Sequence, residues 1–597
     1  MRSGEGTGDS PDPLRFFSLR RMCSPLTDEE SRVIMESNRN WKTEVNAMKK
    51  AYTLGIDFGT LSARAVLLRL RDGCKVAEAT YPYPHGVMDE ALPGGRRLPP
   101  LFALQHPNDY RDALRHTVDG VIEKAGISAK EIAGVGIDFT ACTLLSLDAH
   151  GEPLCLSPEF ADEPLSYALL WKHHAAQRYA DRMNQVALER GEDWLPFIGG
   201  KVSSESTFPK ILQILREAPR LYEATERFME AGDWITCLLT GQEAHSRNIA
   251  GYKAQYVLDS YPTEDYLCAV DPRLKGLIGG KISTNVIPLS ACVGRVSEEG
   301  AILSGLAEGT PVAPAMIDAQ AAIPALDLTE EGDLLAVIGT SACYIVHSQK
   351  ECCVPCVFGA AKGVVYPELY TYEAGQAGLG DSFDWFVRSC LPASYSAEAK
   401  ERELSVHALL REKAERLAVG ESGLLAMDWF NGDRSLKNDG LSSMILGLTV
   451  QTRPEEIYRA LLESTAYGAR RIAEDFEQNG IPVRAICATG GIAQKDPLMM
   501  QIYADVTGRE VRVGGAVQAG ARGSAILGAV AGGIFRDLRK ASGFFALPDH
   551  AVYRPDPERK ARYDELYREY RMLYEQFSRE DGVLDRLHRM RREASRH

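Results

Sequence analysis

The chain reads as an α/β protein built from a duplicated unit, and three observations predict this. Two distant stretches, "YTLGIDFGTLSARAVLL" from Tyr52 and "GDLLAVIGTSACYIVHS" from Gly332, share one layout: an apolar strand, a short turn with Gly and hydroxyl groups, and a second apolar strand. In each half a nearly all-apolar run follows a helical pattern, "EIAGVGIDFT" in the first and "VRAICATGG" in the second, as strands buried in a parallel sheet do. A chain of 597 residues, 45% hydrophobic, is too long for one core and suits two domains. In this reading both polar turns face a shared cleft.

The elements follow in order. Residues 1–50 are polar, weakly patterned and rich in Gly, Ser, Pro and charge; "MKKAYTLGIDFGT" then begins abruptly, so Met48 is expected to be the functional start and the preceding segment a disordered or mis-called extension. After the first hairpin, "RDGCKVAEATYPY" reads as an Asp-Gly turn and a third strand. "NDYRDALRHTVDGVIEKAG" has helical spacing through Tyr110, Leu114, Val118, Val121 and Ile122. The first unit is assigned 51–328.

The second unit, 329–540, repeats the order. Strand-like segments continue through "GVVYPELYTYEAG". A helix runs along "PEEIYRALLESTAYGARRIAEDFEQNG", announced by Thr452 and Glu455 in capping-box spacing with Pro454 in its first turn, and closed by Gly480. Ile457, Leu461, Thr465, Ile472 and Phe476 keep one face. "DPLMMQIYADVTG" and "GARGSAILGAVAGG" read as helices around the strand "EVRVGG". Residues 541–597 end in a charged helix with Tyr and Leu on one side, read as peripheral.

A net charge of -14 and a pI near 5.5 argue against a general nucleic-acid binder, which needs a basic stripe. No apolar run approaches the ~20 residues of a membrane helix, and the first residues lack the apolar segment of a secretory signal. Thirteen irregularly spaced cysteines suit a reducing cytoplasm. The C-x-x-C of Cys353 and Cys356 lacks a second ligand pair at zinc spacing, so these residues read as strand rather than metal or redox groups.

The common nucleotide fingerprints are missing: neither G-x-x-x-x-G-K-[ST], nor G-x-G-x-x-G after a strand, nor the protein-kinase set occurs. What remains is two polar hairpin turns in equivalent places and "ATGGIAQKD", a strand running through Gly490-Gly491 into a helix. Each alone reads equally as ordinary turn chemistry. Small turn residues also let a phosphate approach backbone N–H groups.

In register, these features resemble the actin/Hsp70/sugar-kinase superfamily, in which two RNase H-like domains clamp ATP. The resemblance narrows to the FGGY carbohydrate kinases and spans about Tyr52 to Gly533. It is carried by "GIDFGTLSARAVL", "GIDFTACTLL", "LWKHHAAQ", "FIGGKVSSES", "EAGDWITCLLTG", "GYKA", "IGTSAC", "EAGQAGLGD", "DWFNGDRS" and "ATGGIAQKD". "GIDFTACT" with "EAGQ…GD" points to the ribulose branch rather than the xylulose or glycerol branches. The resemblance implies a cytoplasmic, ATP- and Mg²⁺-dependent kinase phosphorylating L-ribulose at its 5-hydroxyl in arabinose breakdown, with small-molecule partners and, as in many relatives, a homodimer. The rivals are another FGGY kinase, acting on D-ribulose, ribitol or xylulose, and an actin- or chaperone-like ATPase.

Residue by residue, Asp57 in its Gly-rich turn reads as a turn cap; the resemblance makes it the Mg²⁺–phosphate carboxylate, with Gly59, Thr60 and Ser62 beside the phosphates. Asp318 lies in the nearly apolar "TPVAPAMIDAQAAIPAL", where a buried carboxylate needs a partner or a task, and its pKa should tend upward. The resemblance makes it the general base and a substrate ligand. Ala315 and Gln320 stand beside it where relatives often carry Gly and His. Lys253 and Glu373 match the sugar ligands, Ala141 contributes backbone, and Trp171 and Lys210 are secondary candidates. Without the resemblance Lys253 and Glu373 read as solvated surface charges. His173 stands where many relatives have Asp. For ATP the matches are Gly339, Thr340 and Ser341, then Gly490, Gly491 and Gln494; Lys495 is either a phosphate ligand or surface.

Overall fold

The computed structural model describes residues 50–594 apart from 356, 439, 580 and 581. The extension predicted before Met48 and the cysteine at 356 lie outside the described residues.

The first sheet is organised by β1 (Tyr52–Phe58), β2 (Ser62–Arg69) and β3 (Lys75–Pro82), an antiparallel meander. Helix α1 (Pro107–Ala125) starts at His106, whose ring accepts the Asn108 N–H, and ends at left-handed Gly126. It buries Tyr110, Leu114, Val118 and Val121, the periodic face read from the sequence. The chain then enters β4 (Ile132–Phe139), fully buried and parallel to β1. After helix α2 (Arg247–Lys253), the short β5 (Met316–Ile317) pairs with the end of β4 and leads into α3 (Asp318–Ala325).

The second sheet repeats the plan. β6 (Asp333–Ile338) and β7 (Ala342–Ser348) form the hairpin, β8 (Gly359–Lys362) and β9 (Tyr370–Gln376) extend it, and β10 (Ala485–Thr489) runs parallel to β6 after the long helix α4 (Pro454–Gln478). Helices α5 (Gly491–Lys495) and α6 (Pro497–Thr507) follow, then β11 (Glu510–Val513), parallel to β10.

Helix α7 (Ala519–Ala531) follows β11 of the second sheet in sequence but packs on the first sheet. Glycines make that seat. A Cβ on Gly55 would stand 1.9 Å from the Ala521 carbonyl oxygen, and one on Gly136 would stand 1.9 Å from that of Ser524. Thr53 Oγ1 donates to the Ala525 carbonyl at 2.6 Å. The helix can therefore lie almost on the β1 and β4 backbones, with its N-terminal end at the cleft.

Four readings change. The α4 cap is Arg453, whose N–H donates to Glu456 at 2.6 Å, because Thr452 Oγ1 is already engaged with the Thr449 N–H. Residues 363–369 form a turn between β8 and β9 rather than continuous strand. Cys352 and Cys353 lie in a loop after β7, not in a strand. The C-terminal helix α8 (Pro557–Phe577) is not peripheral: Tyr563, Tyr567, Tyr570 and Tyr574 are buried in the second core. Their hydroxyls donate to Glu463, Glu474, Asp428 and Asp433 at 2.7–2.9 Å, so the polar tip of each ring is satisfied while its body fills the core.

Candidate active site

Both hairpin turns open on one cleft of about 650 Å³, at the carboxyl ends of β1, β4, β6 and β10. In the first turn Gly59 N–H donates to the Ser62 carbonyl at 3.1 Å, which leaves Gly59 and Thr60 on the cleft wall. Thr60 is fixed twice, by Gln105 Nε2 donating to its carbonyl at 2.6 Å and Trp171 Nε1 donating to its hydroxyl at 3.3 Å. Ser62 is not on that wall; it is buried and its carbonyl closes the turn. In the second turn Gly339 N–H donates to the Ser341 carbonyl at 2.9 Å, and Gly339, Thr340 and Ser341 all line the cleft.

Gly490 and Gly491 line it too. Gly490 has φ of 102°, and a Cβ there would stand 2.3 Å from the Ile338 carbonyl oxygen, so only glycine fits that crossing. Gln494 is turned away and donates to the Ala516 carbonyl at 3.2 Å. Lys495 is not on the wall either.

Three carboxyl groups converge at the end of the first sheet. Asp57 and Asp138 are register partners on β1 and β4, and Asp318 follows β5, which pairs with β4. Burial raises the Asp57 carboxyl, against the pull of Arg64 at 3.4 Å. Burial and then the charge of Asp57 push Asp138 well above the carboxylate range. Ser524 donates to its Oδ2 at 2.6 Å, and the Asp57 and Asp138 carboxyls lie close enough to share a proton. Asp318 is pushed up to about 7, by burial first and Asp57 second, against the Ala319 N–H at 2.7 Å and the charge of Lys253.

The far end of the cleft is a polar network. Lys253, on α2, pairs with Glu373, on β9, at 3.7 Å, and its ammonium lies 4.1 Å from the centre of the Phe358 ring. Burial lowers the Lys253 pKa, but Glu373, Cys142 and Glu205 outweigh it and the net shift is upward. Gln320 donates to Glu373 at 2.9 Å and accepts from Asn248 at 2.6 Å, so a glutamine here positions the carboxylate. Ala141 lines the cleft beside Cys142, which is held at φ of 57°. Lys210 explains that strain: its ammonium donates to the carbonyls of Cys142, Leu169 and Leu170, a buried structural task away from the cleft wall. His173 is likewise structural, hydrogen-bonded to Gln213 at 2.9 Å and kept neutral by burial, which lowers its pKa to about 3.

The sequence reading missed Asp138, Glu205 and Arg434. A signal for Asp138 existed, since "GIDF" ends both β1 and β4. Glu205 and Arg434 meet at 3.4 Å across the cleft, one from each half of the chain, with Arg434 over the Trp171 ring at 5.2 Å. Burial raises Glu205, but Arg434 and His174 outweigh it and leave its pKa lowered.

Chemically, the cleft offers glycine-rich turns that a polyphosphate can approach, carboxylates suited to a hard cation, and a hydrogen-bonding pocket for a polyol, with Asp318 between them. The chain is similar to known proteins along most of its length. Residues 52–324 match the N-terminal domain, and residues 334–532 the C-terminal domain, of the FGGY family of carbohydrate kinases. The chain is 44% identical over 538 residues to a ribulokinase of Bacillus licheniformis, covering 89% of this chain and 98% of that protein. It is 42% identical over 548 residues to a ribulokinase of Mycolicibacterium smegmatis, covering 91% and 97%. Among solved structures, xylulose kinase from Rhodospirillum rubrum superposes with a TM-score of 0.73 at 24% identity, over 88% of this chain and 99% of that one. Glycerol kinase from Plasmodium falciparum with ADP gives 0.66 at 16% identity, over 87% and 97%; these two likenesses bear on the fold.

Proposed function

The chain belongs to the FGGY family of carbohydrate kinases, and from that premise we propose that it phosphorylates L-ribulose at the 5-hydroxyl with ATP, in the cytoplasm, as a step of arabinose breakdown. The sugar is read from relatives named ribulokinase; the position of attack and the pathway rest on the resemblance. Among the described residues no helix is long and apolar enough to cross a membrane.

One observation carries the mechanism: Asp318, with its pKa raised to about 7, stands between the carboxylate end of the cleft and the Lys253–Glu373 pocket. A base is most useful when its pKa lies near the working pH. Asp318 accepts the proton of the attacking hydroxyl as its oxygen bonds to the γ-phosphorus and the bond from that phosphorus to the β-phosphate oxygen breaks, releasing ADP. Lys253, Glu373 and the Ala141 backbone hold the remaining hydroxyls, since a polyol leaves water only for matched hydrogen bonds. Gly59, Thr60, Gly339, Thr340 and Ser341 bring backbone N–H groups to the phosphates, and Gly490 and Gly491 leave room for the adenosine side.

Asp57, with Asp138 behind it, would hold Mg²⁺. The fit is supported by two carboxyls that the strand register sets side by side, both pushed upward by burial and Asp138 also by the charge of Asp57. When bound, the ion neutralises charge on the phosphate oxygens.

A panel of L-ribulose, D-ribulose, ribitol and xylulose in a coupled ADP assay tests the reading. The highest kcat/KM belongs to L-ribulose. A higher value for another sugar replaces the substrate, and ADP release indifferent to every sugar removes the kinase reading.

A further inference from the structure

A second cluster of metal-binding side chains lies outside the cleft. His85 is in the turn after β3, and His106 and Asp109 begin α1. Backbone hydrogen bonds of 2.9 Å in both directions between Met88 and Leu104 clamp the two segments together. One ligand atom from each of His85, His106 and Asp109 lies within 4.8 Å of the other two. We propose that these three side chains bind a first-row transition-metal dication of the zinc, nickel or cobalt class.

Four features point that way. Asp109 holds His85 from two directions, its Oδ1 2.7 Å from His85 Nδ1 and its Oδ2 accepting the His85 N–H at 3.0 Å. That fixes the ring and sets a carboxylate oxygen and an imidazole nitrogen at the spacing of two ligands of one ion. The two imidazoles are stacked with centroids 4.4 Å apart and planes 16° apart, so the rings are neighbours and a turn of the His106 ring brings its donor to an ion held by His85 and Asp109. Asp109 and Asp112 both lie near the start of α1. Those two carboxylates supply the negative field a dication needs, offsetting the positive end of α1. The Asn108 N–H reaches His106 Nδ1 at only 3.3 Å, a weak bond the ring can give up.

Donor type sets the metal class. Imidazole pairs favour zinc, nickel or cobalt over Mg²⁺, which prefers oxygen, so this site does not compete for the ion of the cleft. A bound dication would staple the turn after β3 to the start of α1. It would sit one residue from Gln105, whose amide holds the Thr60 carbonyl.

The test is Co²⁺ binding to the chelator-treated full-length protein in excess Mg²⁺, followed by calorimetry and visible absorption. The expected result is one site whose spectrum lacks thiolate-to-cobalt charge transfer, which sets it apart from binding at the exposed Cys74, Cys292, Cys353 and Cys390. The site is lost in His106→Gln and in His85→Gln, the latter at a ring exposed enough to replace without loss of fold. Asp109→Asn, which removes the third ligand, loses it as well. Wild type without this site, or folded His85→Gln and His106→Gln proteins that bind Co²⁺ as wild type does, would leave the cluster as a tether of turn to helix and overturn the proposal.

Discussion

Asp57 and Asp138 are register partners on the parallel strands β1 and β4, so two carboxyls end side by side, Asp57 on the cleft wall and Asp138 buried behind it. Two such groups in one buried site cannot both ionise at ordinary cost, and both are pushed upward. A cation removes that conflict. Asp57→Asn should therefore raise the Mg²⁺ concentration for half-maximal turnover as well as lower kcat. Asp138→Asn, one shell further back, should weaken Mg²⁺ dependence by roughly 10–100-fold. Titrating Mg²⁺ against ADP release checks this; half-saturation unchanged in both variants would place the metal elsewhere.

Lys253 and Glu373 form a buried pair at 3.7 Å, so two effects of Lys253→Ala must be separated. KM for L-ribulose should rise by roughly 10–100-fold, the scale of losing a hydrogen bond to a charged group, while KM for ATP stays near wild type. Tm should also fall, because breaking a buried pair costs about 3–5 kcal/mol. The double variant Lys253→Met with Glu373→Gln should recover much of the Tm and none of the sugar affinity. A raised KM for ATP alone would put Lys253 on the nucleotide.

Glu205 and Arg434 bridge the cleft from opposite halves of the chain, and Lys437 donates to the Ile198 carbonyl beside them. This pair should hold the sugar end shut against water. Glu205→Gln keeps the shape and weakens the charge pairing. It should raise KM for the sugar roughly tenfold and increase ATP hydrolysis in the absence of sugar, leaving KM for ATP unchanged. Sugar-free hydrolysis equal to wild type, with an unchanged sugar KM, would make the bridge purely structural.

Much of this architecture is legible from local pattern. The hairpins, α1, α4 and the parallel strands announce themselves by period and by turn residues, and the cleft-lining Gly59 and Gly339 fall in the two turns. Features that depend on a distant partner are not legible in this way. Gly55 and Gly136 look like permissive strand residues until α7 is found lying on them, nearly 400 residues away in the case of Ser524 over Gly136. Glu205 in "SSES" and Arg434 in "NGDRS" are ordinary loop charges until the fold brings them to 3.4 Å. The tyrosines of α8 look like one side of a surface helix, because nothing local shows that Glu463, Glu474, Asp428 and Asp433 await their hydroxyls. The structural tasks of Lys210, a secondary candidate, and of His173 are hidden for the same reason: their partners are backbone carbonyls and Gln213 in the first half's interior.

Asp318→Asn tests the base and its cost to stability together. Turnover should fall by roughly 10²–10⁴-fold, the range of a positioned general base. ATP should still bind, since the two turns and Asp57 are untouched, and the sugar should bind with modest change because an amide still hydrogen-bonds a hydroxyl. In wild type kcat/KM should climb with pH and level off above about 7, as Asp318 loses its proton; the residual activity of the variant should lack that limb. Stability moves in the opposite direction. The folded pKa is raised to about 7 from an ordinary 3.8, so between those values the folded state binds more protons than the unfolded one. The contribution of Asp318 to stability is therefore intact below pH 3.8 and lost as pH rises through 7. An asparagine never ionises and escapes that loss. Calorimetry should find the variant's Tm higher than wild type at pH 8, by a margin that shrinks toward pH 5. Turnover above about a tenth of wild type would fall short of the general-base range, and a Tm difference equal at both pH values would mean that Asp318 titrates as an ordinary surface carboxylate.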